Sequence, residues 1–233
     1  MKNKKFEATF EFAKNWLNYK NLAGPTQEVM ITPIVKQKLK IAGISLCDLG
    51  CGDGELTHKL SELNPKEVIG IDINRTLIKL AIKRQIPNST FHLCNAAYEK
   101  LPIMDSAIDL FFSSNMFMHL NNDEVQFSLK ECYRVLKNGG QISFLVTHLN
   151  WAKSNYILKQ VNDDTFYTKR LVWSLSAVEH YRSTQFYSNL LTDTGFQFFQ
   201  ETDVIIPNDN RLNIRYLSQA GLPLFSLLCA FKP

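Results

Sequence analysis

The chain has 233 residues and a mass of 26.8 kDa, with 45% hydrophobic and 21% charged residues, which is the usage of one globular domain or of one with a small appendage. Those proportions exclude collagen, coiled coil, disordered tail and disulfide miniprotein. Lys and Arg number 26 against 22 Asp and Glu, and the resulting net charge of +4 is too small and too scattered to mark a nucleic-acid track; its densest piece, Lys2, Lys4 and Lys5, reads as a solvated terminus.

Phe6, Phe10, Ala13 and Leu17 recur at helical spacing and predict an opening helix, which residues 21–26, with Gly24 and Pro25, should break. Thr32 before Pro33 predicts an N-cap and first-turn proline for a second helix ending near Gly43. Residues 44–49 form a short apolar run ending in glycines, the pattern of a buried strand, and residues 55–63 follow as a helix. A strand over 67–71 ends at Asp72, and Asn74 caps a helix through Arg84 that keeps Leu77, Ile78, Ala81 and Ile82 on one face. Strands are expected over 90–94 and 108–113. Asn121 with Glu124 three residues later resembles a capping box; its helix should bury Val125, Leu129, Cys132 and Leu136 and stop at Gly139 and Gly140. Residues 141–146 read as the fifth strand. The alternation then fails: residues 148–181 are aromatic and polar with weak periodicity, and we take about 148–182 as a helical insertion. A helix over 183–193 and strands over 196–206 and 222–231 close the chain. Strands alternating with helices imply right-handed crossovers and a parallel sheet covered on both faces, a doubly wound α/β fold.

No run reaches the ~18 uninterrupted apolar residues of a membrane span, and no apolar stretch follows the N-terminal lysines as in a secretory signal. The five cysteines, Cys47, Cys51, Cys94, Cys132 and Cys229, are odd in number and form no CxxC pair. Reduced, buried thiols and a cytoplasmic protein are the expectation. No spacing of metal ligands stands out.

The sharpest local signal is Asp48-Leu49-Gly50-Cys51-Gly52-Asp53-Gly54, between a strand and a helix. Glycines there let the chain turn tightly and let a ligand press on the backbone, while the helix start offers free N–H groups and partial positive charge. Position 55 is Glu, so the GxGxxG dinucleotide fingerprint fails. Asp48 would repel a pyrophosphate and attract an ammonium, so a ligand bearing both a carboxylate and an amine fits better. Asp72 lies 20 residues past Gly52 at a strand end, where a carboxylate can accept from both hydroxyls of a ribose.

With these motifs, residues 44–147 resemble the core of class I S-adenosylmethionine-dependent methyltransferases. The glycine loop resembles their first motif, and Ile69-Gly70-Ile71-Asp72-Ile73 their ribose-binding segment. Asn95-Ala96, Leu101-Pro102-Ile103 and Asp105, with Ile108-Asp109-Leu110, resemble the adenine side and the fourth strand. Arg134-Val135-Leu136-Lys137-Asn138-Gly139-Gly140 resembles the segment before strand five, and residues 190–196 the helix ending in Gly-Phe. The likeness covers about two thirds of the chain. It implies S-adenosyl-L-methionine as cofactor, held by Asp48, Gly50, Cys51, Gly52, Asp72, Ile73, Asn95, Ala96 and Ser114. It also implies a seven-stranded, mostly parallel Rossmann-like sheet with its last strand antiparallel, an N-terminal helical lid over 1–43 and the methyltransferase domain over 44–233. The family usually has Asp where Asn95 stands; an amide oxygen still accepts a hydrogen bond, without charge assistance.

His119, after strand four, and His148, after strand five, are the candidate bases on the carboxyl edge of the sheet. Tyr19, His180 and Tyr181 are candidate substrate contacts. The Asn/Asp-Pro-Pro-Tyr/Phe motif of amino methylation on bases is absent, as is the Pro-Cys pair of pyrimidine methylation. The insertion is rich in aromatics, Trp151, Tyr156, Phe166, Tyr167, Trp173 and Tyr181 among them. A small, partly apolar molecule is the expected substrate, with nucleic acid not expected as a partner. Methylation of RNA or protein, and a non-catalytic homologue, are the alternatives; the acceptor atom and oligomeric state are open.

Overall fold

The computed structural model describes residues 8–23, 25–156, 158–162, 165–172 and 175–233; Lys2, Lys4, Lys5, Phe6, Gly24 and Trp173 lie outside them. In chain order the elements are α1 (Phe10–Ala23), a π-helical turn (Gln27–Ile31), α2 (Thr32–Lys38), β1 (Ser45–Leu49), α3 (Glu55–Ser61), β2 (Glu67–Asp72), α4 (Arg75–Lys83), β3 (Ser89–Leu93) and β4 (Ile108–Ser114). A short 3₁₀ turn (Phe117–His119), α5 (Asn122–Val135), β5 (Leu136–Thr147) and α6 (Leu149–Asn155) follow. The chain closes with β6 (Lys159–Asn162), β7 (Thr165–Val172), β8 (Leu175–Arg182), α7 (Thr184–Thr194), β9 (Gln197–Ile205), α8 (Ile214–Leu217) and β10 (Pro223–Phe231).

Seven strands form one sheet in the order β3-β2-β1-β4-β5-β10-β9. β1, β2, β3, β4 and β5 pair in parallel, while β10 runs antiparallel to both β5 and β9. The central strands β1, β4, β5 and β10 are largely buried on both faces, with the edge strands β3 and β9 more exposed, and the buried residues alternate between two apolar clusters. Cys47, Leu49, Phe111, Ile142 and Phe144 pack with α5 and α7; Leu46, Leu110, Phe112 and Leu145 pack with α2, α3 and α8. Each buried Leu, Phe or Val contributes about 1.5–3 kcal/mol relative to exposure, so this two-sided burial is what holds the layers together. The reversal of strand order between β1 and β4 opens a crevice at the carboxyl ends of these strands, the place where open α/β sheets bind ligands.

Local chemistry explains most boundaries. Asn74 caps α4 by accepting from the backbone N–H of Thr76 and Leu77. Asn121 and Glu124 complete a capping box on α5, whose buried stripe includes Val125, Leu129 and Cys132.

Four expectations are corrected. Thr32 is not a cap: the π turn runs straight into α2, and the Thr32 N–H already donates to Gln27 O, five residues back; α2 also ends early, at Lys38. α1 continues to Ala23, and Phe10, assigned to its apolar face, is exposed. α5 stops at Val135 because Leu136 is already extended; Gly139 and Gly140 sit instead in a bulge of β5, where register slips between Ile108 and Leu110. Among its described residues the insertion is helical only in α6. Beyond it, β6, β7 and β8 form a three-stranded antiparallel sheet, with Tyr167 opposite His180 and Thr168 opposite Glu179. Its Thr-, Tyr- and Val-bearing strands favour an extended chain, a preference hidden by irregular alternation. No helix among the described residues is long and apolar enough to cross a membrane.

Candidate active site

The glycine loop is built by backbone geometry that side chains resist. Gly50 has φ of 80° and its N–H donates to Ile71 O at 2.7 Å; a Cβ there would lie 2.8 Å from Met116 Cβ. Gly52 has φ of 57°, and a Cβ would lie 3.2 Å from the Trp16 ring. Asp72 ties the loop to the end of β2: its carboxylate accepts from Gly52 N–H at 2.9 Å and from Asn74 N–H at 2.7 Å. Burial raises its pKa, and the N–H groups of Asn74 and Gly52, then nearby His119, pull against that rise.

Asp48 stands near the carboxyl end of β1, 1% exposed, and accepts from the Thr57 hydroxyl at 2.6 Å. Burial pushes its pKa from the ordinary carboxylate range to about 7; the Thr57 hydrogen bond lowers it and the Asp72 charge raises it further. The apo site therefore holds a carboxyl group whose charge is costly until a cation arrives.

These groups line one cavity of about 580 Å³, an ordinary size for a ligand site. All nine residues expected to hold the cofactor, Asp48, Gly50, Cys51, Gly52, Asp72, Ile73, Asn95, Ala96 and Ser114, line it, as do Tyr19 and His119. Asn95 Oδ1 also accepts from Ala97 N–H at 3.1 Å, which fixes the side chain in a turn. α1 covers the loop. Trp16 packs on Gly52, and Lys20 Nζ lies 4.7 Å over the Trp16 ring, bonds Asp53 at 3.0 and 3.1 Å and pairs with Glu55. Asn74 Nδ2 donates to Thr9 O at 2.8 Å just ahead of the helix.

The other half of the cavity is aromatic. Tyr19 and Tyr216 meet hydroxyl to hydroxyl at 2.5 Å. Tyr216 stacks on Trp151, with centroids 6.3 Å apart, and Trp151 meets Tyr156 edge-on at 5.5 Å. Glu179, from β8, lines the same space.

Three expected side chains are not in the cavity. His148 immediately precedes α6 and turns towards β9, with Nε2 3.9 Å from Asp203 Oδ1. His180 misses because alternation along β8 places Glu179 and His180 on opposite faces. Tyr181 shares the Glu179 face but is packed behind it with Met118 and Ala152, and its hydroxyl donates to Glu179 Oε2 at 2.6 Å. His119 is on the cavity, edge-on to Phe12 at 5.9 Å and within electrostatic reach of Asp72 at the end of β2.

Sequence reasoning missed Asn15, Gln27, Asn115, Glu179 and Tyr216 as lining residues, whereas Trp151 and Tyr156, singled out among the aromatics of the insertion, do line the cavity. Asn115 had a findable signal, its place directly after β4. It adopts φ of 57°, a left-handed conformation that Asn tolerates better than most residues. Asn15 Nδ2, Gln27 Oε1, Asn115 Oδ1 and Trp151 Nε1 are buried without a hydrogen-bond partner among the described residues. Four such atoms on residues lining one cavity are costly unless a polar ligand satisfies them, and they suit a ligand bearing amine, carboxylate and hydroxyl groups.

Comparison with known proteins agrees with this geometry. Residues 47–144 match a family described as a methyltransferase domain. A malonyl-[acyl-carrier protein] O-methyltransferase of Legionella pneumophila is 29% identical over 140 residues, 59% of this chain and 49% of that protein. One from a Marinomonas species is 38% identical over 98 residues, 42% of this chain and 36% of that protein. The chain thus spans about half or less of the length of these curated relatives. Among solved structures, a Pyrococcus horikoshii protein matches with a TM-score of 0.73 at 19% identity, covering 97% of this chain and 100% of the other. An S-adenosylmethionine-dependent methyltransferase from Mesorhizobium loti matches at 0.69 and 19%, covering 86% and 96%. These structural likenesses establish the fold.

Proposed function

We infer that this chain, whose residues 47–144 form a methyltransferase domain of the class I, S-adenosylmethionine-dependent type, transfers a methyl group to a small, partly apolar molecule. The observation that carries this reading is one continuous cavity, with Asp72 and the glycine loop at one end and the Tyr19–Tyr216–Trp151–Tyr156 wall at the other. Bound S-adenosylmethionine supplies a methyl group already activated on a sulfonium, so the protein's work is chiefly to hold, orient and exclude water.

Asp72 holds the ribose hydroxyls, with lone pairs left beyond the two it gives to backbone N–H groups. Asn95 and Ala96 face the adenine. Asp48, Gly50, Cys51 and Gly52 hold the methionine end, with Asn15 Nδ2 a further donor for its carboxylate. His119 belongs to the adenosine side, since its neighbours are Asp72 and Phe12, and the reading requires no base from it. Residues 1–43 act as a lid through α1, and the aromatic wall positions the acceptor.

The test is cofactor turnover by the purified protein, read as S-adenosylhomocysteine formed with a low-mass metabolite fraction, with total RNA, or with protein. Turnover with the low-mass fraction alone is the expected result. Turnover only with RNA or protein would overturn the small-molecule reading.

A further inference from the structure

We propose that Tyr216, in the aromatic half of the cavity, is a positioning residue for the cofactor at the other end: through Tyr19 it is the catch that keeps α1 closed over the glycine loop. This deepens the methyltransferase reading, with α1 as a lid, and rests on it. Phe12, Asn15, Trp16 and Tyr19 stand at i, i+3, i+4 and i+7 of α1, and all four line the cavity. Such a stripe lies on one side of a helix and, at 1.5 Å per residue, extends about 10 Å, so a single rigid element reaches from one half to the other. At the cofactor end Trp16 packs on Gly52 and Phe12 meets His119 edge-on. At the far end the Tyr19 and Tyr216 hydroxyls meet at 2.5 Å.

The two fastenings of α1 come from neighbouring residues with unrelated partners. Lys20 bonds Asp53 at 3.0 and 3.1 Å and pairs with Glu55. Asp53 is 3% exposed, lies outside the cavity, and is braced by Arg84 at the end of α4, whose Nε donates to Asp53 O at 2.6 Å and whose Nη2 donates to Asp53 Oδ2 at 2.5 Å. The glycine loop therefore turns backbone towards the cavity and a side chain towards the helix that covers it. Tyr216 belongs to α8 and is held by its stacking on Trp151, so the other grip on α1 is anchored in the aromatic wall. Opening over the cofactor must part Tyr19 from Tyr216 as well as Lys20 from Asp53. Losing the Tyr216 hydroxyl eases that opening in the empty and in the loaded protein. A ligand that passes through the open state then exchanges faster in both directions, and its equilibrium affinity changes less than either rate. Plain damage to the site speeds dissociation alone.

The experiment is stopped-flow tryptophan fluorescence on the full chain with S-adenosylhomocysteine, Trp16 beside the glycine loop serving as reporter. The slope and intercept of the observed rate against ligand concentration give the association and dissociation rate constants. Tyr216→Phe should raise both by about three- to tenfold, the size of one lost hydrogen bond, and change the dissociation constant by less than about threefold. That retained affinity shows that the variant is folded. Tyr19→Phe removes the same bond from its other side and should do the same, and the double variant should exchange no faster than either single one. Unchanged rates in both single variants, a rise in dissociation alone, or additive effects in the double variant would overturn the catch while the cofactor site stands. Failure of the wild type to bind S-adenosylhomocysteine in calorimetry would overturn the methyltransferase reading, and the catch with it.

Discussion

The protonation of Asp48 should make cofactor binding depend on pH. In the apo protein burial holds its pKa at about 7. A cationic ligand beside it favours the charged form, so binding lowers that pKa and releases a proton. With an apo pKa of about 7, roughly a tenth of the protein carries ionised Asp48 at pH 6 and nine tenths at pH 8, so S-adenosylmethionine affinity should rise about tenfold across that window. The effect on the empty protein has the opposite sign. An acid whose folded pKa is raised contributes stability below the ordinary carboxylate range, and that contribution is lost as pH rises towards 7. Titration calorimetry at pH 6, 7 and 8, in buffers of differing ionisation enthalpy, measures both the affinity and the released proton. Asp48→Asn should bind with little pH dependence over the window and release no proton. Equal affinity at pH 6 and 8 in the wild type, with no proton exchanged, would refute the reasoning.

Asp72→Ala removes the ribose acceptor and the anchor of Gly52 N–H together; affinity for S-adenosylmethionine should fall about a hundredfold, and a loss below threefold in equilibrium dialysis would contradict the assignment. Gly52→Ala forces a side chain into the left-handed region and against Trp16. Urea denaturation should show a loss of about 1–2 kcal/mol from the backbone, and fluorescence should report the displaced indole. Arg182, 2% exposed, bonds Asn122 Oδ1, Phe117 O and Leu120 O and so ties the insertion to the turn carrying His119. Arg182→Met should cost about 3 kcal/mol by the same measurement, and a cost under about 1 kcal/mol would show that these bonds are dispensable.

The cofactor half was legible because its chemistry is local. A strand, a glycine turn and a helix start occupy consecutive residues, and Asp72 closes the same βαβ unit at the end of β2, so spacing alone brings them together. The caps at Asn74 and Asn121 were legible for the same reason. Where tertiary context decides, the reading failed. Thr32 looked like a cap until the π turn supplied its N–H with a partner. Gly139 and Gly140 looked like a helix stop, but the sheet pulled the chain into β5 from Leu136. The aromatic half was legible only in part: Tyr19 stood out as a candidate contact and Trp151 and Tyr156 as insertion aromatics, but Glu179 and Tyr216 did not, because these side chains come from separate elements and only packing unites them. His180 was a candidate contact that lies off the cavity because β8 alternates with a period of two, which an expected helix conceals.

The central claim is that this cavity holds S-adenosylmethionine, and direct titration of the wild-type chain with that molecule at pH 8 tests it. One site per chain with a dissociation constant in the micromolar range is the expected result. Absence of binding up to millimolar concentration would contradict it.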